Sequence, residues 1–297
     1  MFDYAALAAV DAVVREGSFE RAAAMLGITP SAVSQRVRAL EERLGAVLIV
    51  RSQPCTPTEI GRSLCAHFAQ VQLLEADLRP SLNALGDEPG RSLTLKVAVN
   101  ADSLATWFPQ AAASLAEVEG LLLDLVLEDE AHTADRLRSG EVLAAVTADP
   151  EPVPGCKTIL LGTLRYIACA SPDFVKRHFS TGVTAETLAT APCMRFDRRD
   201  ALQARWAQQA HGVALRAPTH WVPTTQGFLD LAIAGVGWGL QPVALARPHL
   251  AAGRLVELPP ALAMEVQLYW TVSRLHATSL RTLTDAVRNA ARQSLPT

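Results

Sequence analysis

The chain has 297 residues, a formal net charge of −3, 49% hydrophobic residues and only 5% aromatic ones. That length provides one large domain or two to three smaller ones, and Leu, Val and Ala must build most of the core. No run of eighteen apolar residues occurs, no basic stretch precedes an apolar one at the Met-Phe-Asp-Tyr start, and the five cysteines are odd in number and widely spaced. A membrane span, a secretory signal, a disulfide framework and a zinc site are therefore not expected, and the cytoplasm is the expected compartment.

In chain order, residues 4–15 carry Leu7, Val10, Val13 and Val14 at helical spacing, and Gly17 ends that helix. Ser18 caps a second helix, Phe19 to Leu26, closed by Gly27. Ile28-Thr29-Pro30 forms a tight turn, and a third helix runs from about Ser31 to Leu44, stopped by Gly45. Residues 46–57 suit two short strands around Ser52-Gln53-Pro54. A long helix follows from about Pro57 to Leu85. Its Leu64, Phe68, Val71, Leu78, Leu82 and Leu85, with Glu75 in the one gap, form a heptad-like seam suited to a partner helix. Pro80 is expected to kink or split it. Asp87-Glu88-Pro89-Gly90 reads as a linker.

From Leu93 the pattern alternates between strand and helix. Strands fall at Leu93–Val99, Leu121–Leu127 and Val142–Thr147, with helices at Ser103–Ala116 and Ala131–Ser139 between them. A second set has strands near Leu164–Ala170 and Cys193–Phe196 and helices near Ala201–Ala210 and Gln226–Ala234. A last strand at Leu268–Ser273 precedes a terminal helix, Thr278 to Arg292. Such alternation implies a parallel sheet with helices on its faces.

The third helix divides into two faces. Val33, Val37, Leu40 and Leu44 share the buried side, and Ser31, Ser34, Gln35 and Arg38 lie on another. Those polar chains suit a DNA major groove: Ser meets either kind of base edge, Gln pairs with adenine, and Arg pairs with guanine. Thr29 and Pro30 lie in the turn, where Thr29 is placed to touch the DNA backbone. An amphipathic helix with a solvated polar face fits the spacing equally well. Charge helps little, since residues 28–65 hold five arginines (36, 38, 43, 51, 62) against three glutamates (41, 42, 59).

The stretch from Phe19 to Gly45, Phe-Glu-Arg-Ala-Ala-Ala-Met-Leu-Gly-Ile-Thr-Pro-Ser-Ala-Val-Ser-Gln-Arg-Val-Arg-Ala-Leu-Glu-Glu-Arg-Leu-Gly, resembles the LysR-type transcriptional regulators. Leu48-Ile-Val-Arg51 and Thr56-Pro-Thr-Glu-Ile-Gly61 resemble that family's wing and the start of its linker helix. Ile49 stands where the family usually has Phe, and Arg51 is nearly the only charge in a wing that is usually longer and more basic. Val99-Asn-Ala-Asp-Ser-Leu-Ala-Thr-Trp107, Leu127-Glu-Asp-Glu130 and Arg136-Leu-Arg-Ser-Gly-Glu-Val142 are similar to the arginine/lysine-responsive ArgP/LysG branch, which controls basic amino-acid export and related metabolism.

The resemblance implies an all-α winged helix-turn-helix over residues 1–58 and a linker, dimerisation helix and hinge over 59–90. A two-lobed α/β domain like the periplasmic binding proteins then covers 91–297, with lobe I about 91–162 and 268–297 and lobe II about 163–267. It implies a homodimer or homotetramer on double-stranded operator DNA, a small effector in place of a cofactor, with lysine or arginine foremost, and RNA polymerase as a candidate partner. A different effector, or a solute-binding protein that does not bind DNA, is the alternative. The DNA-binding candidates are Thr29, Pro30, Ser31, Ser34, Gln35, Arg38 and Arg51.

Cleft ligands in such sheets sit at strand C-termini and helix N-termini. That makes Asn100, Asp102 and Ser103 candidates, with Glu128 and Asp129, Asp149, Asp197, Thr224 and Thr225. A cationic effector needs a carboxylate partner, for which Asp102, Asp149 and Asp197 stand ready, and Ser103 would hold an effector carboxylate. Simple helix capping accounts for Asp102 and Ser103 equally well. Trp238 is either a cleft wall or core. The sequence holds no Gly-x-Ser-x-Gly elbow, phosphate loop or HExxH, so neither an enzyme nor a metal site is expected.

Overall fold

A computed structural model describes residues 3–82, 92–128, 132–275 and 277–296. Helix α1 spans Tyr4–Glu16, and the Asp3 carboxylate caps it by accepting the N–H groups of Ala5 and Ala6. Helix α2 spans Phe19–Leu26, and the Ser18 hydroxyl accepts the Arg21 N–H. Helix α3 spans Pro30–Leu44. It begins at Pro30 rather than Ser31, because proline's fixed φ and missing N–H suit a first helical position and Thr29 supplies the cap to Ala32 N–H. Val33, Val37 and Leu40 are buried against α1 and α2 as expected, but Leu44 is 38% exposed. It is the last helical residue before Gly45 turns the chain away, so no neighbouring helix covers it.

Strands β1 (Ile49–Val50) and β2 (Thr56–Pro57) pair antiparallel as the wing. Glu41 ties the wing to α3, since its Oε1 accepts the N–H groups of Leu48 at 2.8 Å and Ile49 at 3.4 Å. Helix α4 (Glu59–Leu82) then passes so close to the Leu48 carbonyl that a side chain at Gly61 would collide with it.

The expected seam on α4 is corrected at its start. Leu64 and Phe68 are consumed by the head's own core, and Leu73 enters the core of the α/β part. The apolar residues left exposed are Ile60, Leu74 and Leu78, with Val71 half-buried beside them. Pro80 does not split the helix, which continues to Leu82; it falls in the last described turn, where it removes a single backbone bond. The seam's Leu82 side chain and Leu85, and the linker at 87–90, lie outside what is described.

In the α/β part, β3 (Leu93–Val99) pairs in parallel with β4 (Leu121–Leu127) and with β5 (Ala144–Thr147). Two long strands, β6 (Cys156–Ala170) and β11 (Met264–Ser273), run antiparallel to each other along their length. Both β9 (Gly239–Pro242) and β10 (Val256–Glu257) pair antiparallel with β6, and β11 pairs antiparallel with β5. The sheet is therefore mixed rather than wholly parallel, because β6 leaves the first lobe and β11 returns to it. Around β3–β5 lie α5 (Ala101–Ala105), α6 (Phe108–Leu115), α7 (Thr133–Ser139) and α13 (Thr278–Ser294). The second lobe holds the small parallel pair β7 (Cys193–Arg195) and β8 (Thr219–Trp221). Its helices are α8 (Pro172–His178), α9 (Ala185–Thr190), α10 (Leu202–His211), α11 (Thr225–Ile233) and α12 (Val243–Ala251).

The single helix expected over Ser103–Ala116 is two, broken at Thr106 and Trp107, because Pro109 cannot donate the backbone bond that continuity requires. Where the two long strands cross between lobes, their register shifts at Leu268/Tyr269 opposite Gly162. Gly162 has φ +140°, and a Cβ there would lie 2.9 Å from both Leu295 Cβ and the Pro296 carbonyl oxygen.

Helix α4 also joins head to first lobe. Asp77 on α4 caps α13, accepting the Thr278 N–H at 2.7 Å. A cavity of about 400 Å³ lies between α1, α4 and β3, and Asp11, Arg15, Arg62, Cys65, Lys96 and Glu141 are in its wall. Lys96 Nζ is 3.8 Å from Glu141 Oε1. Burial pushes the Asp11 carboxyl up to about 6, against the counter-pull of Arg15 and Lys96. A carboxyl raised on folding costs stability as pH climbs from its unfolded value, near 4, through 6. Asp11→Asn is therefore expected to match the parent near pH 4 and to exceed it at pH 7 by up to about 3 kcal/mol. Urea unfolding across that range measures the difference, and parallel curves at every pH would show that Asp11 ionises in the fold at no cost.

Candidate functional site

Two surfaces collect the residues singled out in the sequence. On the head, Ser31, Gln35 and Arg38 are exposed along one side of α3, with Ser34 half-buried between them. Thr29 is committed to capping, and its hydroxyl also lies 3.0 Å from that of Ser31. Pro30 is exposed at the first turn. Arg38 Nε pairs with Glu42 Oε1 at 2.8 Å while both side chains remain largely exposed, at 76% and 65%. An exposed pair of this kind is weak and opens readily to a better acceptor. The Arg51 guanidinium sits 4.8 Å above the Phe19 ring, which holds the wing's charge against α2.

Between the two lobes is a cavity of about 630 Å³. Asn100, Asp102, Glu128 and Asp197 line it, as the sequence suggested. Asn100 is the cap of α5, accepting the Ser103 N–H at 2.8 Å, so capping falls to it and not to Asp102 or Ser103. Asp102 instead reaches the other lobe. Its Oδ2 accepts the Tyr166 hydroxyl of β6 at 2.7 Å, and its Oδ1 accepts the Thr225 hydroxyl of α11 at 2.7 Å. Burial raises the Asp102 carboxyl above the usual range, those two hydroxyls pull it back, and the nearby Asp200 carboxylate pushes it further up. Thr225 thus belongs to the site through Asp102.

Three expected residues do not line the cleft. Ser103 is fully buried in the inner turn of α5, and its hydroxyl has no hydrogen-bond partner among the described residues. Asp149 turns back to accept the Glu151 N–H at 2.9 Å, leaving Ala148 on the wall. Thr224 caps α11 through Gly227 N–H and faces solvent. Glu128 accepts the Thr147 hydroxyl at 3.1 Å, and Asp129 lies outside the described residues. Asp197 accepts the N–H groups of Arg199 and Asp200 and pairs with the Arg199 side chain at 3.4 Å. Trp238 is core, its ring 5.3 Å from that of Trp206.

Sequence reading missed Tyr166, Asp200, Arg136, Arg199 and Arg205, all on the cavity wall. Tyr166 had a faint signal, one polar-tipped ring inside an apolar strand run. The cavity therefore presents carboxylates and guanidinium groups together, a lining suited to a ligand carrying both signs of charge. No group of His, Cys, Asp and Glu among the described residues is arranged to hold a metal ion. No described helix is long and apolar enough to cross a membrane.

Residues 4–62 match the model of the bacterial regulatory helix-turn-helix proteins of the lysR family, and residues 88–292 match that of the LysR substrate binding domain. The chain belongs to the LysR family. It is a DNA-binding transcriptional regulator similar to ArgP of Pseudomonas fluorescens, at 45% identity over 297 residues covering 100% of this chain and 99% of that protein. It is also 44% identical to LysG of Mycobacterium tuberculosis over 285 residues, 96% of this chain and 92% of that one. Among solved structures, ArgP of Mycobacterium tuberculosis superposes with a TM-score of 0.80 at 42% identity, covering 100% and 99% of the two chains. Full-length LysG of Corynebacterium glutamicum with arginine bound as effector superposes with a TM-score of 0.70 at 39% identity over the whole of both chains.

Tyr166→Phe isolates one arm of the Asp102 contact. Losing a hydrogen bond to a buried carboxylate is expected to cost about 1–3 kcal/mol at neutral pH. The loss should shrink as acid protonates Asp102, which burial makes easier than for an exposed aspartate. Denaturant unfolding at pH 7 and pH 4 reads both, and no cost at either pH would mean that the tyrosine contributes its ring alone.

Proposed function

We propose that this protein is a transcription regulator whose grip on operator DNA is set by a basic amino acid, arginine or lysine, held in the cleft between its lobes. The observation that carries the reading is Asp102, a half-buried carboxylate on the cleft wall bound by hydroxyls from the opposite lobe. A buried cation needs such a counter-charge, and the effector's α-carboxylate needs a cation, which Arg136, Arg199 and Arg205 on the same wall offer. The arginine bound to LysG of Corynebacterium glutamicum supports the same ligand class here. Glu128 and Asp197 complete the polar lining; Asn100 shapes the loop that presents Asp102.

On the DNA side, Ser31, Ser34, Gln35 and Arg38 are the groove-facing set, with Thr29, Pro30 and Arg51 at the backbone. Two copies joined along Ile60, Val71, Leu74 and Leu78 of α4 would present two such helices to a dyad-symmetric operator, as a dimer or within a tetramer. The working division is head 1–58, linker 59–90 and effector domain 91–297, with lobes parting near residues 162 and 268. The protein acts without catalysis, in the cytoplasm where its DNA lies, on genes of amino-acid export or metabolism.

Gel shifts on the DNA upstream of the gene test the first half. Gln35→Ala and Arg38→Ala should each lose about 1–3 kcal/mol of operator affinity with unchanged circular dichroism. Calorimetry with arginine and lysine tests the second half. Asp102→Asn should weaken binding by about tenfold or more, the usual cost of losing a charged partner. Absence of binding of either amino acid at millimolar concentration would reject the basic-effector reading.

A further inference from the structure

Behind Asp102 lies a second, smaller chamber of about 60 Å³. Asp102, Tyr166, Phe196, Asp200 and Leu202 line both it and the main cleft, so the chamber is the cleft's inner end. Its back wall is Gln203 of α10 and Gln241 of β9, each only 1% exposed. Both polar atoms of the Gln241 amide and the Gln203 Oε1 lack a hydrogen-bond partner among the described residues. Buried amides left in that condition are costly, and native cores carry very few of them. The hydroxyls nearby cannot relieve the two carbonyl oxygens, because Tyr166 and Thr225 both donate to Asp102. The chamber therefore offers more acceptors than donors: the Asp102 and Asp200 carboxylates, Gln203 Oε1 and Gln241 Oε1, against the single unmet donor group Gln241 Nε2. The Phe196 and Phe228 rings also line it.

Spread acceptors beside aromatic rings suit one kind of group above others. A guanidinium is planar, carries five N–H donors and no acceptor, and packs well on aromatic rings. An ammonium is also a donor but concentrates its three hydrogens at one point, so it satisfies Asp102 and leaves the farther amides unmet. The chamber holds about two waters' worth of volume, enough for one such planar head. Resting on the basic-effector reading above, we propose that this chamber is the subsite for the effector's cationic end and that Gln203 and Gln241 make it select a guanidinium over an ammonium.

Calorimetry on the full-length protein tests this with L-arginine, L-lysine and L-citrulline, whose side chain is nearly isosteric with that of arginine but uncharged. Gln241→Met and Gln203→Met are the variants, since methionine keeps the length and removes the amide. Operator binding and thermal unfolding establish that each is folded. Each variant is expected to lose roughly tenfold in arginine affinity while lysine affinity stays within about threefold, and the wild type is expected to bind citrulline about 100-fold more weakly than arginine. Unchanged arginine affinity in both folded variants would overturn the proposal and leave the chamber to water. Equal losses for arginine and lysine would also overturn it, by reducing the amides to supports of the cleft. Either result leaves the basic-effector reading standing, whereas failure of the wild type to bind arginine or lysine removes both.

Discussion

A carboxylate that leaves water must find replacements for the hydrogen bonds it gave up, and Asp102 finds them across a lobe boundary. Its two oxygens accept from Tyr166 and Thr225, which lie 64 and 123 residues away in the chain. The rest of the effector domain is arranged around that contact. It ties α5 to α11, and its Asp102 and Tyr166 line both the main cavity and the smaller chamber at its inner end. On the proposed reading, an effector cation at Asp102 would meet a group whose hydrogen bonds already tie the two lobes together. Binding and lobe angle would then be linked, because any arrangement that binds the effector more tightly is favoured by it.

Helix α4 is the element that packs against both the head and the first lobe. This helix inserts Leu64 and Phe68 into the head's core and Leu73 into the core of the first lobe, and one turn later Asp77 caps α13 of that lobe. A rod anchored at both ends by packing has little freedom to bend independently of either. The exposed stripe of Ile60, Leu74 and Leu78 runs along the same rod, so the surface available to a second copy is rigidly related to both the DNA-reading helix and the cleft. The cavity at the junction of α1, α4 and β3 is the loose point in this arrangement, and it is lined with charge rather than filled with side chains.

Much of the head was legible in the sequence because its signals are local. Ser18, Gly17, Gly27 and Gly45 cap or stop helices by their own chemistry, and the polar face of α3 follows from helical periodicity. What escaped was long-range. Leu64 and Phe68 fit a heptad seam, yet the head's core claimed them, since periodicity shows which face is apolar without showing what covers it. The antiparallel course of β6 against β11 depends on a crossing that no local pattern records. Asp102 was legible as a polar residue at a strand end. Its partners were not, because a buried pair separated by a hundred residues leaves no spacing to read. The break at Pro109 is different in kind, since a proline inside a helical run is a local signal.

Glu41 and Glu42 bear on how the head travels along a chromosome. Glu41 is spent on the wing backbone and Glu42 neutralises Arg38, while Arg51 rests on Phe19. The reading helix thus approaches DNA with little excess positive charge, and few counterions are released when it touches a phosphate chain at random. On the proposed reading, sojourns on unrelated sequence would be correspondingly brief, and the search would proceed by many short hops instead of long slides. Occupancy of the operator then depends on shape and base contacts, which are the terms a change in the spacing of two heads can alter.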